Sequence, residues 1–135
     1  MAIFVLKNAS VTINSVDLSA YVTSVTVDYK VDAVESTAMG ASGHSFTGGL
    51  QSNSITVNLN QDFAATKTEA TIFPLVGTST TVVVKADSGA TSATNPSYTI
   101  AGTFLEGSQP VAGAVGDLAT MALTFNGGTM TKATS

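Results

Sequence analysis

The chain has 135 residues, of which 44% are hydrophobic and only 10% charged, against about 25% charged in an ordinary globular protein. Its formal net charge is −4 and its basic residues stand singly at Lys7, Lys30, Lys67, Lys85 and Lys132, which excludes the clustered footprint of a nucleic-acid reader. The absence of Cys excludes a disulfide framework and thiol chemistry. This length supports one domain with a modest core, residues 1–135. The surface left to it is Thr, Ser, Asn and Ala, uncharged and poor at resisting association, as in a protein packed against copies of itself.

Met1 to Lys7 is a short apolar run with no basic residues ahead of it and too little length to cross a bilayer, so neither a signal peptide nor a membrane helix is read there. It reads as a strand or as an arm laid on a neighbour. Synthesis in a cytoplasm is expected, with no membrane binding, which leaves the sequon Asn8-Ala9-Ser10 idle. Ser10 to Asn14 alternates as a short strand with Val11 and Ile13 inward, and Asn14-Ser15 marks a turn. From Ser24 to Ala33, Val25, Val27, Tyr29, Val31 and Ala33 alternate with Ser24, Thr26, Asp28, Lys30 and Asp32, the period of a half-buried strand. The alternation slips at Val34-Glu35, as at a β-bulge or where a strand leaves its sheet. Ser52 to Asn60 restores it, with Ile55, Val57 and Leu59 inward and Ser54, Thr56, Asn58 and Asn60 outward.

Between these two strands, residues 36–51 form a long hairpin loop, well beyond the usual connection of about 2–5 residues. It carries Met39, Phe46 and Leu50 as apolar anchors. Each would gain roughly 1.5–3 kcal/mol on full burial, supplied either by a neighbouring subunit or by the loop folding back on its own domain. The neighbouring subunit is the hypothesis; the residues leave both open.

After Leu59, Asp62 precedes an Ala-rich run and is placed to cap a helix, and Phe63, Ala70 and Phe73 recur as a helical stripe that would plug one side of the fold. Pro74 and Gly77 end it near Phe73 to Val76. Thr80 to Ala86 follows as a strand with Val82-Val83-Val84 buried, then a polar loop from Asp87 to Ser97. Tyr98, Ile100, Gly102 and Phe104 alternate inward on the next strand. A turn region, Gly107 to Gly116, leads to a last strand, Leu118 to Asn126, with Ala119, Met121, Leu123 and Phe125 on one face, ended by Gly127-Gly128. Six or seven strands with one intercalated short helix predict an all-β antiparallel sandwich or barrel.

Chemistry is sparse. His44 is the only histidine and has no Cys beside it, a poor ligand set for a metal, and no nucleophile-elbow motif accompanies it. Gly40 to Gly49 is glycine-rich but lacks the Gly-Lys-Ser/Thr ending of a phosphate loop. Asp28 and Asp32 would lie about 13 Å apart on one strand face, too far for a carboxylate dyad. No catalytic, cofactor or metal residue is assigned, and the chain is not read as an enzyme.

The phrases Ser-Val-Thr-Ile-Asn-Ser-Val-Asp-Leu-Ser (10–19), Val-Thr-Ser-Val-Thr-Val (22–27), Thr-Ala-Met-Gly (37–40), Gln-Asp-Phe-Ala-Ala (61–65) and Pro-Val-Ala-Gly-Ala-Val-Gly-Asp-Leu (110–118) resemble major tail tube proteins of long-tailed, non-contractile bacteriophages. The resemblance spans nearly the whole chain. It implies a β-sandwich with one short helix and hexameric rings whose inner strands close into a barrel. The rings would stack into a virion tail tube that conducts DNA, with other tail proteins at its ends. Under it, Met39, His44, Phe46 and Leu50 are candidate inter-subunit contacts. Thr26, Asp28, Lys30, Asp32, Thr56 and Asn58 are candidate lining of the lumen. The alternative is a capsid decoration or other virion structural protein. A carbohydrate- or surface-binding β-sandwich ranks below both, because Trp is absent and Tyr21, Tyr29 and Tyr98 are dispersed.

Overall fold

Segments with apolar residues, many of them β-branched or aromatic, at every second position make most of the strands in the computed structural model, which describes residues 5–64 and 67–134. In chain order these are β1 (Ser10–Ile13), β2 (Val16–Asp17), β3 (Val22–Asp28), β4 (Val31–Glu35), β5 (Phe46–Gln51), β6 (Ser54–Asn60), β7 (Ser79–Lys85), β8 (Ser97–Ser108), β9 (Thr120–Asn126) and β10 (Thr129–Ala133). One short helix, α1 (Thr68–Ile72), and 3-10 turns at Ser19–Tyr21 and Phe73–Leu75 complete the described elements. The fold is all-β and antiparallel, as expected. The strand count exceeds six or seven because β2, β5 and β10 lacked a sequence pattern of their own. The first four residues of the Met1 to Lys7 segment lie outside the described residues, and 5–7 are not in a strand.

Eight strands form one sheet in the order β2-β1-β7-β8-β9-β6-β3, with β10 also paired to β8. β8 is the hinge of this arrangement. Along one edge its first half, Ser97 to Ala101, takes β10, and its second half, Phe104 to Ser108, takes β9. At the changeover Ile100 pairs with Val82 but Thr103 with Thr80, so β8 holds one extra residue, a bulge. Gly102 supplies the positive φ of 70° there. The bulge inverts the parity of the strand. Ile100 and Leu105 are both fully buried, whereas Phe104 is 44% exposed, which corrects the inward alternation expected through Gly102 and Phe104.

The inner faces meet in one cluster of fourteen buried apolar side chains, among them Val11 and Ile13 of β1, Val82 and Val84 of β7, Ile55, Val57 and Leu59 of β6, and Met121, Leu123 and Phe125 of β9. Ala119 falls outside β9 and is exposed. Two tight turns hold left-handed backbone: Asn14-Ser15 (φ 52° and 67°) joins β1 to β2, and Gly127-Gly128 (φ 79° and 90°) joins β9 to β10, as two-residue hairpins require. Beyond β2, the Ser19 hydroxyl and then its backbone N–H donate to Asp17 Oδ1, which holds the Asp17 carboxyl below the usual carboxylate range.

Two expectations about local structure are corrected. The strand expected from Ser24 to Ala33 is split, because the chain leaves β6 after Asp28 and pairs β4 with β5 instead. The helix is shorter than expected and turned the other way. Lys67, not Asp62, precedes α1, and Asp62 Oδ1 accepts from the Ala64 N–H in a local turn. Phe63 and Phe73 are 62% and 61% exposed, whereas Ile72 and Thr68 are fully buried. The reversal follows because α1 begins only after Lys67 and the chain tightens into a 3-10 turn at Phe73–Leu75 beside Pro74, so a stripe from Phe63 to Phe73 has no continuous helix to lie on. Ile72→Ala should therefore cost about 2–5 kcal/mol and Phe73→Ala under about 1 kcal/mol, read as urea midpoints at constant slope. The reverse order would restore the original stripe.

Candidate functional site: an exposed arm and a polar sheet face

The stretch expected as a loop is an arm. Among the described residues β4 and β5 pair only with each other, through Val31↔Gln51, Ala33↔Gly48, Val34↔Thr47 and Glu35↔Phe46. The ladder continues past β4 as the Ser36 N–H donates to the Ser45 carbonyl at 2.8 Å. Glycine makes this pairing possible. A Cβ on Gly49 would lie 2.9 Å from Val34 Cγ2 and 3.3 Å from Asp32 Cβ, so Gly49 seats β5 against β4 across the register shift between Val31 and Ala33. The stretch expected as a hairpin loop thus includes the strand glycines Gly48 and Gly49 of β5.

Every residue from 28 to 50 is exposed. Met39 is 103% exposed, Leu50 80%, Phe46 62%, Val34 53% and Val31 47%, so the arm does not fold back on its own body. His44 sits at the tip with Nδ1 2.7 Å from Glu35 Oε2 in an exposed pair. This contact, with the Ser45 N–H donating to Thr37 Oγ1 at 2.8 Å, closes the end of the hairpin.

At the root of the arm stands Asn53, 2% exposed and not singled out from sequence. The alternation that turns Ile55, Val57 and Leu59 inward extends back to Asn53 and is the signal that could have found it; only its polar side chain argued against burial. Its Oδ1 accepts from the Lys30 N–H at 3.3 Å, and its Nδ2 donates to Gln51 Oε1 and to the Gly128 carbonyl, both at 3.0 Å. Its own carbonyl accepts from the Gly127 N–H at 2.8 Å. Gln51 Oε1 accepts a second bond from the Met130 N–H at 2.9 Å.

The outward face of β3, β6 and β9 is a polar sheet. Thr26, Thr56 and Thr124 lie side by side across the three strands, as do Ser24, Asn58 and Ala122. Asn58 Nδ2 donates to Ser24 Oγ at 2.7 Å and Ser54 Oγ to Asp28 Oδ2 at 3.2 Å. Asp28 is the only charged residue within these three strands, and no lysine lies in them. Of the six residues proposed to share one face, Thr26, Asp28, Thr56 and Asn58 do so. Lys30 lies in the corner before the arm and Asp32 on β4.

Among the described residues no group of three or more His, Asp or Glu side chains is placed to hold a metal. An open groove of about 460 Å³ lies between Val5, Lys7 and Asn8 on one side and Ala86, Asp87, Thr94 and Asn95 on the other. Its Asn95 Nδ2 is spent on the Asp87 and Gly89 carbonyls at 3.0 and 3.1 Å.

By sequence the chain matches no protein-family model and no curated protein. By structure it is similar to a chain in the virion of a native gene transfer agent particle, with TM-score 0.70 at 14% identity over 93% of this chain and 95% of that one. It is also similar to a chain in the tail of an empty gene transfer agent particle of C6 symmetry, with TM-score 0.64 at 15% identity over 85% and 83%. A third is a chain of the PVC sheath–tube complex, an extracellular contractile injection system in its extended state, with TM-score 0.68 at 15% identity over 95% and 89%. At such identities the likeness defines a fold, one found in chains of virions, of tails and of a contractile sheath–tube complex. It is wider than the long-tailed, non-contractile phages that the sequence phrases resemble.

Proposed function

We propose that this chain is a structural subunit of a virion tail tube, assembling as rings that stack, with other tail proteins at the tube ends and no enzymatic activity. The observation that carries the reading is the arm. A two-stranded hairpin with both faces in water is marginal by itself, yet this one holds five apolar side chains out from a fold shared with tail and tube chains. Met39, Phe46 and Leu50, with His44 at the tip, are its contacts to a neighbouring copy. A contact between an arm and a different surface of the next copy is heterologous, and repetition of such contacts builds rings and open stacks. Six subunits per ring and a non-contractile phage tail are the finer form of this reading, supported by the C6 symmetry of one similar tail and by the sequence resemblance.

Electron microscopy of the purified protein tests it. Rings or tubes are expected, and Met39→Ser with Phe46→Ser should abolish them while leaving melting almost unchanged, because neither side chain is in the core. Monomers under all ionic conditions would overturn the proposal, and caps on shells instead of tubes would favour capsid decoration.

The lumen belongs to the same proposal. β3 is an edge strand, with backbone groups free to pair across a subunit boundary, and its polar face with that of β6 and β9 would line the channel. Such a wall offers no cations to release counterions from DNA. Asp28→Lys with Thr56→Lys should still assemble, since both positions are exposed, but the tubes should retain DNA in a salt-dependent way. DNA passage equal to wild type at low salt would remove the lining assignment and leave the tube.

A further inference from the structure

The arm has no contact face of its own to hold its direction, since its residues are exposed on both sides. Its direction is set at the root, and the buried amide there is wired to a different part of the chain. The Asn53 Oδ1 accepts from Lys30, where the chain enters the arm, and its Nδ2 donates to Gln51, where the chain leaves it. The same Nδ2 reaches the Gly128 carbonyl in the β9–β10 turn, and Gln51 Oε1 takes the Met130 N–H at the start of β10. Both legs of the arm are thereby tied to one side chain, and that side chain to the C-terminal hairpin. We infer that Asn53 is a positioning residue that latches the arm to the β9–β10 hairpin, so that arm and C-terminal strand move as one unit and present Met39 and Phe46 in a fixed direction. Its consequence for assembly rests on the tube reading; the latch itself does not.

The chemistry of the latch is one-directional. Gln51 Oε1 accepts from both Asn53 and Met130, so a flip of the Gln51 amide to donate toward position 53 would turn its NH2 against the Met130 N–H. Asn53→Asp keeps the shape of the side chain but replaces the donor with a carboxylate facing two acceptors. At neutral pH both bonds are lost. At acid pH the protonated carboxyl donates one again.

The test is amide hydrogen exchange on the full chain. In Asn53→Asp at neutral pH the arm amides, Ser36 and the β4–β5 ladder, should exchange about tenfold faster or more than in wild type, in line with two lost bonds. The β6 and β9 amides should stay protected. Exchange corrected for its intrinsic pH dependence should recover toward wild type when the new carboxyl is protonated. Should that variant fail to fold, Gln51→Met removes the acceptor shared by Asn53 and Met130 and should loosen the same amides. Arm protection equal to wild type in the folded variant would overturn the latch. In assembly assays the concentration needed for rings should rise about tenfold or more with arm loosening. Wild type that never assembles would remove the tube reading while exchange still reads the latch. Loosened arms that assemble at the wild-type concentration would remove the positioning role.

Discussion

Gly128→Ala is expected to destabilise the protein by about 2–5 kcal/mol, far more than a methyl group costs at most surface turns. Gly128 has a φ of +90°, where an L side chain costs roughly 1–2 kcal/mol. A Cβ there would also stand 2.8 Å from the Ala101 carbonyl oxygen, 2.9 Å from Ile100 Cγ2 and 3.0 Å from the Thr103 N–H nitrogen. Two of these are backbone atoms of β8 beside the Gly102 bulge, so relief requires the β9–β10 turn to move off the sheet, at a further cost of about 1–3 kcal/mol. Gly127→Ala is the internal control. Its φ is +79° with no atom within 4 Å of the added Cβ, so only the conformational cost of about 1–2 kcal/mol remains. Urea unfolding of the two variants reads the difference. Equal losses would mean that the turn does not rest on β8 as described.

Phe125→Ala should cost about 3–5 kcal/mol, a large part of the roughly 5–15 kcal/mol that holds a domain together. Phe125 is fully buried and lies opposite Ile55 of β6 on one side and Leu105 of β8 on the other, with Val27 of β3 beyond Ile55. Those neighbours are fixed by the backbone ladder, so they cannot move in to fill the space, and the cavity term adds to the lost burial. The effect should appear as a shifted denaturant midpoint, with assembly lost only as far as the folded fraction is lost. A cost below about 2 kcal/mol would show that the row of β3, β6, β9 and β8 collapses around the gap.

The two substitutions and the arm variant separate three kinds of residue. Phe125 holds the body, Gly128 lets the C-terminal hairpin close onto it, and Met39 with Phe46 contributes to neither. If the proposed tube reading holds, assembly should therefore be lost in the arm variant with a native melting curve, and lost in the other two only together with the fold.

Where alternation coincides with burial, the outcome was legible in the chain alone. Ile55, Val57 and Leu59, Met121, Leu123 and Phe125, and Val11 and Ile13 recur at period two and are in the core, because side chains on a strand alternate faces whatever the strand pairs with. The turn at Asn14-Ser15 was equally legible from its polar turn residues, and Gly127-Gly128 marked where β9 ends, though not that a further strand, β10, folds back after it. The all-β class followed.

What covers each face depends on long-range pairing and packing, which no local pattern carries. Tyr29, Val31 and Ala33 continue the alternation of β3 without interruption, yet they leave the sheet and stand in water, because local period says which residues share a face and not which strand lies beside them. β5 was invisible, since a strand exposed on both faces needs no apolar period. Phe104 faces outward because one residue of bulge at Gly102 inverts the parity of the strand there, and Phe63 and Phe73 are exposed because α1, Thr68–Ile72, is too short to carry a stripe from one to the other. Asn53 is the extreme case. Its parity says inward and its polar side chain says outward, and its role exists only because Lys30 and Gly128, 23 and 75 residues away, join the nearby Gln51 within 3.3 Å of it.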